Sequence, residues 1–253
     1  MPSFRVLISA TAALLLPSAL ARLALGLLGH RMARGARIGF SLVLAQRLQM
    51  ASGSHIGHFN LINVRRLVLG AESSIGRANL LNGRISVLLA QRAALGNRNR
   101  VLRAPVPEVA HGPASLRIGH WSKITSDHKI DCTCSVRIGR YATVAGSGSQ
   151  LWTHGYVHAQ QGPARYRVDG PVHIGNNVYI GSACIVTTGV RIADGIIVGA
   201  GTTVARSLTA PGMYVSAGIR QVDRPAAPGS RADLQRIDDP RLCEAVYRKR
   251  VGG

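Results

Sequence analysis

His154 and His128 are the residues whose type and placement offer chemistry most directly, together with the carboxylates Asp127 and Asp131. Imidazole exchanges a proton near neutral pH, so a histidine beside a reacting hydroxyl or amine can act as a general base. His154 stands in Gln150-Leu151-Trp152-Thr153-His154-Gly155-Tyr156, where a regular aliphatic pattern lapses. A segment with Gly162, Pro163, Arg165, Tyr166, Arg167 and Asp169 follows and reads as a loop, residues 155–171, thrown outward from a rigid scaffold, a common seat of function. His128, in Thr125-Ser126-Asp127-His128, takes the fifth place of its hexad, as His154 does of its own. Asp127 or Asp131 stands close enough in sequence to orient it. The plain reading of His154 is a corner residue bonding a backbone carbonyl, and that of His128 an exposed face residue. Cys132, Cys134, Cys184 and Cys243 form neither a disulfide framework nor a CxxC pair. They read as reduced and structural, since free cysteine packs as a small hydrophobe.

The element that must position these residues is legible as a repeat. From Ile174 an aliphatic residue recurs every six positions: Ile174, Ile180, Val186, Ile192, Val198, Val204. A small residue follows each one. An α-helix with 3.6 residues per turn drifts off a period of six at once. A β-meander would show period-two strands joined by hairpin turns, and no Asn-Gly or Asp-Gly turn is placed to make them. Three short strands per coil, each turning one aliphatic side chain inward, explain the period, and stacked coils then pair in parallel about 4.8 Å apart. The same period runs through Ile38, Leu44, Met50, Ile56 and Ile62, then through Leu69, Ile75, Leu81 and Val87 in a shifted phase. It is interrupted from Arg103 to Pro113 and resumes at Ile118, Ile124 and Ile130. A further insertion moves it to Ile138 and Val144. The interval from Ile138 to Ile174 reads as two coils of three hexads, and the fifth-place histidines read as lying on adjacent faces of one prism. Neighbouring faces would meet in a trimer, bringing His128 of one chain toward His154 of the next. The expected fold is all-β: an apolar helical segment at 1–36, a parallel β-helix at 37–208 and a tail at 209–253.

The formal charge of +20 is carried almost wholly by arginine. It is either a solvated surface or a preference for an anionic partner: a phosphorylated cofactor, a lipid diphosphate or an acidic membrane face. Nucleic acid is not indicated, because the arginines are dispersed and the few aromatics form no stacking ladder. Residues Val6 to Leu28 are apolar apart from Arg22. Three readings stay open. Ala19-Leu20-Ala21 resembles a signal-peptide cleavage site, the run is long enough to span a bilayer, or a helix caps the β-helix and rests on a membrane. The last is favoured, placing the protein in the cytoplasm, at or near the inner membrane face.

The run THGYV, a loop, and then GPVHIGNNVYIGSACIVTTGVRIADGIIVGAGTTVARSL resembles the hexapeptide-repeat acyltransferases of the galactoside and maltose acetyltransferase type. The resemblance covers Ile38 to Leu208 in architecture and His154 to Leu208 in motif. It implies a left-handed helix, a homotrimer, acyl-CoA (acetyl-CoA foremost) as co-substrate without a metal, and His154 as base toward a sugar-like acceptor, to which the basic surface and apolar front helix add a lipid-linked one. Gly181, Ser182, Gly199 and Ala200 match the positions where the family lays the pantetheine arm, and Tyr179 stands where a Trp is common. Arg206 and Arg220 are candidates for the cofactor phosphates. The segments SDHKIDC and GSQLWTH resemble a branch associated with surface polysaccharides or secondary metabolites, and Asp127, Asp131, Gln150 and Thr153 are candidates for acceptor contact. The family's Gly-x-Pro-Ala tail is replaced by Gly218-Ile219-Arg220. Two other classes remain on the same fold: a non-catalytic assembly scaffold, and a γ-carbonic-anhydrase-like hydrolase with metal on His120, His154 and His158. Three ligands and an open position would suit zinc, although the spacing departs from that family's pattern.

Overall fold

Isoleucine, valine and leucine at the repeat positions turn inward and stack into one continuous aliphatic column. Ile75, Leu95, Val101, Ile180, Val198 and Val204 are each fully buried within it. Burying one such side chain stabilises by roughly 1.5–3 kcal/mol, so the column carries the fold without any large aromatic anchor. A computed structural model describes residues 4–104, 112–216, 219–222, 234–237 and 246–249. Cys243 and most of the Arg103–Pro113 interruption lie outside the described residues.

The architecture is a left-handed parallel β-helix with an N-terminal helical segment. Its strands pair in parallel from coil to coil, building a 14-stranded and a 10-stranded sheet. The first of these covers two faces, because the long strands Leu42–Met50 and Leu61–Leu69 bend through a corner and bind neighbours on both sides. In the later coils the three faces separate. The first carries Val136–Ile138, Val172–Ile174 and Arg191–Ile192. The second carries Thr143–Val144, Tyr179–Ile180 and Ile197–Val198. The third carries Gln150–Leu151, Ile185–Val186 and Thr203–Val204. Residues Met1–Gln221 form one compact unit and Val222–Gly253 a second. Within the second, Leu234–Ile237 and Val246–Lys249 pair antiparallel.

The register corrects several phase readings. Val43, not Leu44, pairs with Ile62, and Leu89, not Val87, pairs with Leu69. Ile138 pairs directly with Ile174, so the interval between them is one coil, not two. The excursion between Leu151 and Val172, with one extra residue before Leu151, adds one coil's length and so leaves the phase unbroken. That extra residue falls in Gly146-Ser147-Gly148, because Val144 leads to Leu151 as the next inward side chain. His154 is therefore fourth in its hexad, and the symmetry with His128 is lost.

The apolar amino terminus forms two helices, α1 (Phe4–Leu15) and α2 (Ser18–Leu27), where the sequence suggested one. Pro17 separates them, since it offers no amide donor and its ring opposes a continuous helix. Ala13 and Leu25 join the aliphatic column. Arg5 donates to the Gln46 carbonyl at 2.8 Å, and the Leu48 amide donates to His30 Nδ1 at 3.2 Å. The pair thus covers strands of the first coils that would otherwise present an open edge. Among the described residues no helix is long and apolar enough to cross a membrane.

Candidate active site

The aliphatic lapse after Leu151 corresponds to an antiparallel hairpin, His154–His158 against Arg165–Asp169, leaving the corner between the third and first faces. His154 is its first residue and faces Asp169 across the pair. Trp152, His154 and Tyr156 fall on one side of the chain, as alternation along an extended strand requires. The His154 ring meets Trp152 edge-on at 6.0 Å and Tyr156 at 6.2 Å. Lys129 Nζ lies 4.9 Å from the Trp152 ring centre, and Trp152 Nε1 donates to Gln150 Oε1 at 3.0 Å.

Beneath the ring lies Asp131, 8% exposed. His154 Nδ1 is 2.9 Å from Asp131 Oδ2 and 3.2 Å from Thr133 Oγ1. The same Oδ2 accepts from the Thr153 amide at 3.0 Å and from its hydroxyl. Oδ1 accepts from the Thr133 hydroxyl at 3.0 Å and its amide at 3.3 Å. Burial alone pushes the Asp131 carboxyl up, but the bonds from Thr153 and His154 outweigh it and hold the group below its ordinary value. A carboxylate surrounded by donors can only accept, so Nδ1 carries the proton and donates. In the neutral ring Nε2 then keeps its lone pair on the side away from Asp131, and the side chain is 25% exposed. This is the tautomer a general base requires.

Asp131 and Thr153 are thus seated under His154 and not at an acceptor surface: Thr153 is fully buried, its hydroxyl also accepting from the Cys134 amide at 2.9 Å. Cys134 adjoins this cluster. Burial, then Asp169 and Asp131, push its thiol up, which keeps it protonated and a poor nucleophile. Cys132 is pushed up further by complete burial.

His128 has a different place. It is 2% exposed and belongs to a ladder running through successive coils inside one corner. Asn60 Oδ1 accepts from the Asn79 amide at 2.9 Å, Asn79 Oδ1 from the Asn99 amide at 2.8 Å, and Asn99 Oδ1 from the His128 amide at 3.0 Å. His128 Nδ1 accepts from the Ser149 amide at 3.1 Å, and Nε2 contacts Thr125 Oγ1 at 2.9 Å. Both ring nitrogens are engaged internally, and burial lowers the imidazole's affinity for a proton. The recurrence of Asn60, Asn79 and Asn99 at one corner position was the sequence signal for this ladder. Asp127 does not orient either histidine: it occupies a left-handed corner position, φ 61°, and takes a bidentate bond from Arg98 at 2.6 and 2.8 Å.

Gly181, Ser182, Gly199 and Ala200 stack at the corner between the second and third faces, with Tyr179 half-exposed beside them on the second face. A side chain at Gly181 would bring its Cβ to 2.6 Å from the Ala200 amide nitrogen, so this edge stays smooth. Arg206 is exposed and follows Thr203–Val204 at the hairpin's own corner. The side chain of Arg220 lies outside the described residues. In one chain the third face therefore separates the Gly181–Gly199 edge from His154. Among the described residues no three His, Cys, Asp or Glu side chains converge as a metal site, and His120, His154 and His158 form no such group.

No family model and no curated protein sequence matches the chain. Solved structures do. The polysialic acid O-acetyltransferase OatWY aligns over 77% of this chain and 87% of its own at 16% identity, with a TM-score of 0.51. A maltose O-acetyltransferase from Clostridium difficile 630 aligns at 22% identity and TM-score 0.38, over 44% of this chain and 60% of its own length. The N-acyltransferase AntD from Bacillus cereus, bound to dTDP and 3-hydroxybutyryl-CoA, aligns over 72% of this chain and 81% of its own at 17% identity and TM-score 0.32. At 16% identity the likeness to the polysialic acid O-acetyltransferase shows a shared left-handed β-helix fold.

Proposed function

We propose that the protein transfers an acyl group from acyl-CoA to a hydroxyl or amine of a carbohydrate-like acceptor, with His154 as general base. The observation that carries this reading is the Asp131–His154 pair, which engages Nδ1 and, in the neutral ring, leaves the Nε2 lone pair free between two aromatic rings. In the reaction Nε2 removes the acceptor's proton as its oxygen or nitrogen attacks the thioester carbonyl. The carbon–sulfur bond then breaks, and the imidazolium returns the proton to the departing CoA thiolate. No covalent enzyme intermediate is needed, and Asp131 stabilises the transient positive charge on the ring.

The acyl donor would lie along the Gly181–Gly199 edge of one subunit, with Arg206 turned toward its phosphates from the hairpin corner of the next. Since that edge and His154 sit at opposite ends of the third face, the complete site takes the edge of one subunit and the hairpin of the next, in a homotrimer. Removing the His154 ring should leave acyl-CoA binding intact and lower turnover by about 10²- to 10⁴-fold, the usual worth of a positioned base. A His154→Ala enzyme with wild-type turnover would end the assignment. Subunits carrying His154→Ala co-assembled with subunits carrying Ala200→Trp should regain activity that neither has alone. No recovery in mixed trimers would refute a site shared between neighbouring subunits.

The helical end adds a location. Phe4, Leu15, Leu23 and Leu27 are 79%, 66%, 63% and 83% exposed, and residues 4–71 contain eight arginines and no acid. An apolar, cationic end suits peripheral contact with an anionic membrane, at the cytoplasmic face. Flotation with anionic vesicles should be lost in Leu23→Asp/Leu27→Asp; equal flotation of both proteins would remove the membrane contact.

A further inference from the structure

The register aligns four outward residues of the first face into a column, Arg117, Arg137, His173 and Arg191, one on each of four consecutive coils. At about 4.8 Å per strand step the column extends roughly 14 Å along the prism. The three arginines are exposed, and His173 is partly so. Among the described residues no carboxylate pairs with Arg117, Arg137, Arg140 or Arg191, whereas Arg92, Arg98 and Arg167 pair with Glu72, Asp127 and Asp169. Asp194, on the corner beyond, accepts from the amide and the side chain of Asn176. Burial, then Arg191 and Arg137, hold the His173 imidazole below its ordinary value, which records how closely the cations crowd it.

The column borders a groove of about 510 Å³ lined by Arg117, Arg137, His120 and Arg140, with Val68 and Leu88 at its end. Two aromatic rings stand at the adjoining corner, Trp121 at 47% and Tyr141 at 59% exposure. This first face begins where the His154 hairpin returns to the prism, at Val172–Ile174.

We infer that this first-face column is a track for an acidic glycan chain, so that the acceptor is a polymer bearing recurring carboxylates. The inference rests on the acyltransferase reading for the role of the chain, and on the face itself for the binding. A row of cations one coil apart fits charges distributed along an extended ligand. A compact phosphate would instead call for donors converging on one point. Single-stranded nucleic acid needs successive bases stacked on aromatic rings. Here the Trp121 ring is covered by the Arg92 guanidinium at 4.5 Å, leaving Tyr141 as the open platform.

Binding is measured on the His154→Ala protein, so that it is read apart from turnover. A polygalacturonate decamer should bind, with affinity falling about tenfold or more between low and high salt, while dextran of equal length should not. Arg117→Gln/Arg137→Gln/Arg191→Gln should weaken polygalacturonate binding about tenfold or more with an unchanged melting curve, since all three side chains are exposed. Equal binding of dextran, or an unaltered affinity in the triple variant, would overturn the track. So would pyrophosphate binding as tightly as the decamer, or an oligodeoxynucleotide of equal charge binding more tightly. If the track binds and the wild-type enzyme transfers no acyl group to any glycan, the acyltransferase reading fails while the binding face stands.

Discussion

Replacing Asp131 by asparagine isolates what its negative charge contributes, because shape and volume hardly change. Five donors surround the carboxylate: the amide and hydroxyl of Thr153, those of Thr133, and His154 Nδ1. The amide can keep its oxygen toward Thr153 and His154 and turn its NH₂ toward Thr133. There the hydroxyl can become an acceptor, and only the 3.3 Å bond from the Thr133 amide is lost. The expected loss of stability is therefore small, about 1–3 kcal/mol for one unsatisfied buried donor. The loss in catalysis has another origin. Unit charges 2.9 Å apart attract by about 6 kcal/mol at an effective dielectric of roughly 20. Water reaching the quarter-exposed ring reduces this, and a net charge-assisted bond is worth about 1.5–3 kcal/mol. Turnover in Asp131→Asn should fall roughly 10- to 150-fold at saturating acyl-CoA, with the acyl-CoA KM unchanged. The assay is thiol release on a defined acceptor, with circular dichroism as the control for folding. Unchanged turnover in a folded variant would refute the pairing, and a rise in acyl-CoA KM alone would assign Asp131 to binding.

The ladder histidine makes a contrasting case. His128→Ala should cost about 1–3 kcal/mol by orphaning the Ser149 amide, and His128→Asn should recover much of it by continuing the asparagine column, both read from denaturant midpoints. Because burial lowers the His128 pKa, its stabilisation is complete above the ordinary histidine value near 6.5 and declines as pH falls toward the folded-state pKa. In the Asn variant this portion of the acid sensitivity should disappear. Replacing residues 154–169 by a short turn like Thr187-Thr188-Gly189, which crosses the same corner one coil later, should leave the melting temperature nearly unchanged and abolish transfer. Deleting Met1–Leu28 should destabilise the β-helix and not merely release it from membranes, since Ala13 and Leu25 belong to its core; an unaltered melting curve would show the cap to be dispensable.

The period of six determined the coil, because inward aliphatic side chains must recur once per strand whatever the loops do. Ile174 to Val204 therefore mapped directly onto the three faces. His154 was legible for the same reason in reverse: a scaffold that must bury its aliphatic column advertises the place where it stops doing so. What sequence alone left open was phase. The excursion after Leu151 and the extra residue in Gly146–Gly148 together add one coil's length, so counting hexads could not distinguish one long coil from two. That ambiguity gave His128 the same corner position as His154. Only the register showed one ring locked inside a ladder and the other opening a hairpin. The partnership of Asp131 with His154, 23 positions apart, was likewise decided by the stacking of one coil on the next, which sets Asp131 beneath Thr153. The cationic column Arg117–Arg137–His173–Arg191 has irregular spacing in the chain and becomes a single row only when the strands pair. Inward positions are fixed by local hydrophobic pattern; which outward side chains become neighbours depends on the length of each coil, and that is a property of the folded stack.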